Sequence, residues 1–337
     1  MTVVINGTTG IDTIQDNTVS STKLQDSSVT SAKVTDGAIT TTDMSSAAVT
    51  SLKSGRKNLI INGGFDVWQR GTSISSNGAY AADRWLRSLN YGATVTQQSF
   101  TNGQTDVPGS PKYYCRTAAG ATANPTGSDI LRYYVEGLHS TGSQQQVTLS
   151  FWAKANQSIT VQVRALDCFT WASDLATVGT NDFSITTGWQ KFTHTFTTTN
   201  HTGKTYADSA RFLLQWFWQN EQFDGSDYFD IANVQLELGD TATDFEYRSY
   251  GEELALCQRY YEANGGTHYR LFLTIGTSSS AGWTPFLVEK RTIPTVTATF
   301  SGSVSHPTDQ IRTNGFYCYA SGNNNVWHTG FTADAEL

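Results

Sequence analysis

Apolar residues recur every five positions through the first fifty residues: Ile14, Val19, Leu24, Val29, Val34, Ile39, Met44 and Val49. Ser, Thr, Asp and Lys fill the gaps in ten-residue copies, such as Asp16-Asn-Thr-Val19-Ser-Ser-Thr-Lys23-Leu24 and Asp26-Ser-Ser-Val29-Thr-Ser-Ala-Lys33-Val34. A period of five fits neither the 3.6 of an α-helix nor the 2 of a strand. One apolar side chain in five buries too little within a single chain to offset the entropy lost on ordering. Three copies around one axis would bring each apolar side chain against two copies of itself. The repeat therefore predicts a thin homotrimeric stalk with these eight residues as its core. The plainer alternative is a flexible Ser/Thr-rich linker.

The pattern changes after Ser54-Gly-Arg-Lys57. Asn58 to Trp68 reads as strand, Gly turn, strand. Val147, Leu149 and Phe151 alternate onto one face, as do Phe212, Leu214, Trp216 and Trp218. Similar runs lie at 159–164, 189–197 and 230–238. About eight to ten strands between 58 and 250 describe a β-sandwich. Residues 251–263 read as a helix: Glu252 and Glu253 suit its N-terminus, Leu254, Cys257 and Tyr261 share a face, and Asn264-Gly-Gly ends it. Short strands follow to 337. The predicted fold class is mainly β. A stalk segment occupies 1–57, a sandwich 58–250, and a helix plus small β tip 251–337.

Composition narrows the function. Net charge is −7 with no Lys/Arg cluster, which excludes the basic footprint of a nucleic-acid binder. The longest apolar stretch, Phe212 to Trp218, is too short to span a bilayer, and the first residues have no secretory-signal pattern. Cys115, Cys168, Cys257 and Cys318 are far apart and read as free, buried thiols. No HExxH, GxSxG or phosphate loop is present. Glu221, Asp224, Asp227 and Asp230 contain enough carboxylates for a glycosidase pair, but their Asp-Gly-Ser-Asp setting reads more simply as a loop. The expectation is a protein without catalysis.

Several stretches resemble bacteriophage tail-fibre and receptor-binding proteins: Asn58-Leu-Ile-Ile-Asn-Gly-Gly-Phe-Asp-Val-Trp-Gln-Arg-Gly71, Ala82-Asp-Arg-Trp85, Ala232-Asn-Val-Gln-Leu-Glu-Leu-Gly239, Glu253 to Tyr261, and the terminal Phe331 to Leu337. The ten-residue repeat resembles their stalks. Residues 58–250 also resemble jelly-roll carbohydrate-binding modules, through the Asn-Gly-Gly-Phe start, Leu149-Ser-Phe-Trp-Ala-Lys154, Gly188-Trp-Gln-Lys191 and Asp230-Ile-Ala-Asn-Val. The resemblance implies a jelly roll in a virion fibre that attaches to the host surface. Its partners would be two sister chains, other tail proteins through the N-terminus, and a surface glycan. A collar or connector fibre touching only virion proteins is the rival, and a polysaccharide depolymerase a third reading.

The sequence identifies no certain cofactor. The resemblance implies at most a structural Ca²⁺, with Asp66 and Asp230 as candidate ligands; turn-capping, solvent-facing acids are the alternative. For glycan binding, aromatic faces stack on sugar rings while amides and charged forks bind hydroxyls. In the jelly-roll reading Trp152, Gln162 and Arg164 point away from the core, and Gln215 and Gln219 lie opposite the Phe212–Trp218 row. These five are expected to share the exposed face of one sheet. Tyr317, Tyr319 and Trp327, beside His328, form a rival site at the tip.

Overall fold

The computed structural model describes residues 56–337 apart from 89–91, 123–127, 171–173, 220–222, 224, 271–278, 301–303, 306–309 and 322–326. The proposed stalk-core residues, Ile14 to Val49, lie outside the described residues. Contacts divide the chain into Met1–Leu52 and Lys53–Leu337.

Among the described residues eleven strands make up the sandwich. In chain order they are β1 (Ser73–Ile74), β2 (Trp85–Arg87), β3 (Thr94–Ser99), β4 (Tyr113–Ala118), β5 (Ser128–Glu136), β6 (Gln146–Ala155), β7 (Ile159–Cys168), β8 (Leu175–Ile185), β9 (Gln190–Thr197), β10 (Arg211–Trp218) and β11 (Tyr228–Leu238). One sheet, the front sheet, has the order β1-β3-β4-β11-β6-β9; the back sheet is β2-β5-β10-β7-β8, and every pairing is antiparallel. The eight strands β4 to β11 divide between the sheets in the jelly-roll order, first-eighth-third-sixth against second-seventh-fourth-fifth.

Alternation sets the core. Val147, Leu149, Phe151, Ala153 and Ala155 of β6 point inward, as do Phe212, Leu214, Trp216 and Trp218 of β10, and all are buried. Trp85, Tyr133, Phe65, Phe151 and Trp216 interleave their rings between the sheets, with centroids 4.8–6.2 Å apart. All four cysteines are buried, free thiols.

The segment from Asn58 differs from the strand–turn–strand expectation. A turn at 61–64 is flanked by irregular backbone. Side-chain amides replace a ladder here: Asn58 Oδ1 accepts from the Ile60 and Leu236 N–H groups at 2.9 and 3.1 Å, and its Nδ2 donates to the Val234 carbonyl at 3.1 Å. Asn62 likewise bridges Val67 and the Asp83 carbonyl. Asn58 pins the segment against β11 where that strand's register shifts between Ala232 and Gln235, and Asn62 closes the turn onto Val67 and Asp83.

The helix α1 spans Tyr250–Gln258, shorter than the 251–263 expected. Ser249 caps it by accepting from the Glu252 N–H at 3.3 Å. It stops because the next residues have stronger partners elsewhere. Tyr260 packs into a cluster with Tyr134, Leu166, Cys168, Leu213 and Leu337 on the outer face of the back sheet. Tyr261 then begins β12 (Tyr261–Arg270). The tip continues with β13 (Ser279–Pro285), β14 (Thr295–Phe300), β15 (Val304–Ser305), β16 (Ile311–Arg312), β17 (Gly315–Ser321) and β18 (Trp327–Asp334). It forms a sheet β12-β18-β14 and a second one around β17, with Phe286, Phe316 and Phe331 buried together. Among the described residues no helix is long and apolar enough to cross a membrane.

Candidate functional site

Side chains on β6 alternate, so the inward Phe151 leaves Trp152 on the outer face of the front sheet. Lys191 of β9 stands directly opposite it in the ladder. On the other side, β11 carries a bulge. Bulges re-aim side chains next to functional sites, and here the bulge holds Asn233 at φ 47°. The Asn58–Gly63 segment fixes this geometry from behind, with the Val234 N–H donating to the Gly63 carbonyl at 2.9 Å.

The chain after β11 folds back over this face. Glu237 accepts from the Thr243 N–H and hydroxyl at 2.9 and 2.5 Å. Gln235 accepts from the Glu246 N–H at 2.8 Å and donates to the Asp244 carbonyl at 3.2 Å. These bonds hold Asp244, Phe245 and Tyr247 beside Trp152. The loop between β3 and β4 supplies Pro108 and Gly109. Together with Ser150, Lys191 and Asn233 these residues enclose a cavity of about 210 Å³.

Gly109 has φ 81°, and a Cβ there would run into the Tyr247 ring. Only glycine serves both demands at this position. The Tyr247 hydroxyl donates to the Pro108 carbonyl at 2.8 Å, and Asn233 Nδ2 donates to the Tyr247 oxygen at 3.0 Å. Asn233 is 3% exposed, and its Oδ1 meets no donor among the described residues. Leaving a buried acceptor unmatched costs on the order of 1–3 kcal/mol. The Asp244 carboxylate and the Trp152 indole N–H form no hydrogen bond with the described residues, whereas Lys191 spends one hydrogen on the Thr243 carbonyl at 3.1 Å. The cavity thus combines aromatic walls with donors and acceptors of both charges.

Further along the same face lies an aromatic group that sequence reasoning missed. Phe100, Tyr114 and Trp189 have centroids 4.8–5.2 Å apart, and Lys154 sits 5.2 Å from the Trp189 ring. Trp189 alone was visible, as part of a strand start.

The other candidates lie elsewhere. Gln162, Arg164 and Gln215 do share one face, but it is the outer face of the back sheet, on the opposite side of the sandwich from Trp152. The expected single group of five is therefore corrected: Trp152 belongs to a different sheet. The back-sheet polar groups satisfy one another. Arg164 donates twice to Gln215, at 3.1 and 2.9 Å, Gln162 donates to Asp182 at 2.9 Å, and the Arg164 guanidinium lies 5.3 Å from the Phe217 ring. Gln219 sits past the end of β10, its N–H bonded to the Thr160 carbonyl at 3.0 Å. At the tip, Tyr317 and Tyr319 are 40% and 37% exposed on β17, and Tyr317 packs 4.8 Å from Trp283. The backbones of Trp327 and His328 belong to β18; their side chains lie outside the described residues.

Asp66 and Asp230 do not form a metal centre. Both oxygens of Asp230, wholly buried, are held by the Arg116 guanidinium at 2.7 and 2.8 Å. Burial raises its pKa, and Arg116 and Lys154 oppose the rise. Asp66 is pushed up to about 6, first by burial and then by the nearby Glu253 carboxylate, with Lys112 opposing. Among the described residues no three His, Cys, Asp or Glu side chains stand close enough to hold an ion. Of the acidic cluster, Glu221 and Asp224 lie outside the described residues. Asp227 accepts from Gln157 at 2.8 Å.

No protein-family model matches the sequence, and no curated protein matches it. Solved structures do. A CBM4 module is 18% identical, with a TM-score of 0.34, over 53% of this chain and 98% of its own. The N-terminal cellulose-binding domain of Cellulomonas fimi β-1,4-glucanase C is 17% identical, with a TM-score of 0.29, over 51% and 97%. The enzymatically active domain of bacteriophage CBA120 tailspike protein 4 is 13% identical, with a TM-score of 0.31, over 54% of this chain and 21% of its own. The jelly-roll assignment for this chain rests on its own strand pairing.

Proposed function

We propose that this chain is a non-catalytic carbohydrate-recognition protein of a phage tail fibre, and that the Trp152 cavity is its sugar site. The observation that carries the reading is the cavity itself. Trp152, Phe245 and Tyr247 line it with aromatic rings, the groups that pack on the C–H surface of a sugar. Lys191, Asp244, Asn233 and Ser150 offer hydroxyl partners. Clefts with mainly apolar walls and a few converging polar groups are the usual form of small-ligand sites.

The fibre context is supported by the five-residue repeat and by the tail-fibre-like motifs. In this reading residues 14–49 trimerise and the N-terminus joins the virion. Three weak sites per fibre then act together, raising avidity by roughly 10²–10⁴ without new contacts.

A glycan array probed with the full chain tests the proposal. Binding to a subset of host-surface glycans, lost in Trp152→Ala, is expected. No binding to any glycan or host envelope, together with localisation of the tip against other tail proteins, would favour the connector fibre. Release of reducing ends from host polysaccharide would instead mark a depolymerase.

A further inference from the structure

We propose that the group of Phe100, Tyr114 and Trp189 is a second subsite beside the Trp152 cavity, and that it takes a sugar residue bearing a carboxylate, which Lys154 receives. This rests on the carbohydrate reading of that face and names the class of glycan.

Pairing across the front sheet puts the two places side by side. Asp230 of β11 stands opposite Arg116 of β4 on one side and Lys154 of β6 on the other. Trp152 and Lys154 are two residues apart on one strand, so they share a face and lie about 7 Å apart along it. On β9, Lys191 stands opposite Trp152, and Trp189, two residues away from it, comes within 5.2 Å of the Lys154 ammonium. The three rings are partly exposed, and so is the Lys154 side chain, at 24%.

The Lys154 ammonium is placed without being hydrogen-bonded. It sits near the Trp189 and Tyr114 rings, at 5.2 and 5.9 Å, and its paired oxygen on Asp230 is 3.9 Å away. That distance is an ion pair but too long for a hydrogen bond. Both Asp230 oxygens are instead held by Arg116 at 2.7 and 2.8 Å. Three ammonium hydrogens therefore point to no acceptor among the described residues.

Charge selects the ligand class. Two cations, Arg116 and Lys154, share one carboxylate, and that carboxylate is wholly buried while both cations are partly exposed. What a ligand meets here is net positive. A carboxylate on the sugar supplies the missing counter-charge and accepts from Lys154, while the rings pack on its C–H surface. A neutral sugar leaves the charge unmatched, and an amino sugar adds a third cation. In the Trp152 cavity Lys191 and Asp244 have opposite signs, so the acidic preference belongs to Lys154.

The test is an array of acidic oligosaccharides, each printed beside the same molecule with its carboxyl groups reduced to alcohols, probed with the full chain. At least one acidic member is expected to bind tenfold or more tightly than its reduced twin, with the ratio shrinking at raised salt. Lys154→Met is expected to lower the acidic member to the level of its twin. Lys154→Arg, which keeps the charge, is expected to retain the preference, and Trp189→Ala to weaken both members. Equal binding of the twins, binding confined to neutral glycans, or a preference that survives Lys154→Met would overturn the acidic class. Binding indifferent to Trp189→Ala would overturn the subsite. In each of these cases loss of binding in Trp152→Ala leaves the sugar site standing. Binding to no glycan, acidic or neutral, would remove the sugar site and the inference with it.

Discussion

The guanidinium of Arg116 grips both carboxylate oxygens of Asp230, one from Nε and one from Nη2. The Tyr228 ring lies under the same guanidinium, its centroid 3.8 Å away. The carboxylate that family resemblance points to as a calcium ligand is thus already neutralised by a cation of the chain itself. Arg116→Met is expected to destabilise the fold by about 3 kcal/mol, because it strands a buried carboxylate without its partner. Adding Ca²⁺ or EDTA is expected to leave the thermal midpoint unchanged. A clear rise with Ca²⁺ would show that Asp230 exchanges Arg116 for the ion.

Asp66 makes stability depend on pH in a direction opposite to that of a salt-bridged acid. Its folded pKa is raised to about 6 from an ordinary value of 3.8. Between these values the native state keeps a proton that the unfolded chain has lost. Stability from this group is therefore full below about pH 4, falls as pH rises toward 6, and stays lower above it. Asp66→Asn is expected to raise the urea midpoint at pH 7, with the gain vanishing near pH 4. An equal effect at both pH values would contradict this account.

Gly109 joins backbone geometry to the site. Gly109→Ala forces a Cβ into the Tyr247 ring at a positive φ. The expected outcome is a loss of sugar binding with a stability cost of about 1–2 kcal/mol. Trp216→Ala in the core, by contrast, is expected to cost about 3–5 kcal/mol. Denaturant titration of the two variants separates a site defect from a core defect.

The C-terminal residues are tied to the sandwich by ionic and aromatic contacts. Arg84, 1% exposed, pairs with Glu336 and stacks 3.6 Å over Tyr260, while the Tyr80 hydroxyl donates to the Leu337 carbonyl at 2.8 Å. Glu336→Gln leaves Arg84 buried without its counter-charge. Faster amide exchange across β12 and β18, with β6 and β10 unchanged, is the expected result. Uniformly faster exchange would mean that the contact stabilises the whole sandwich rather than the tip.

Local patterns made much of this architecture legible. Strict alternation in Val147–Ala155 and Phe212–Trp218 separates the inward residues of both strands from the rest. Alternation cannot say which sheet a strand joins, so it does not separate Trp152 on β6 from Arg164 and Gln215 on β7 and β10 of the other sheet. The stripe of Leu254, Cys257 and Tyr261 runs past the end of the helix, whereas the pairing of Tyr261 with Asp334 that ends it spans 73 residues of sequence. The cavity depends on the bulge at Asn233, the fold-back of Asp244–Tyr247 and the crossing of Pro108. The Pro108 crossing joins residues 125 and 139 apart, and neither the bulge nor the short fold-back leaves a periodic signature.

The most direct test of the sugar site is a heteronuclear NMR titration with a glycan that binds on the array, following indole and side-chain amide signals. The account predicts saturable shifts at the Trp152 indole N–H and the Asn233 amide, with Gln162 and Gln215 silent. Shifts confined to Gln162 and Gln215, or none at Trp152, would contradict it.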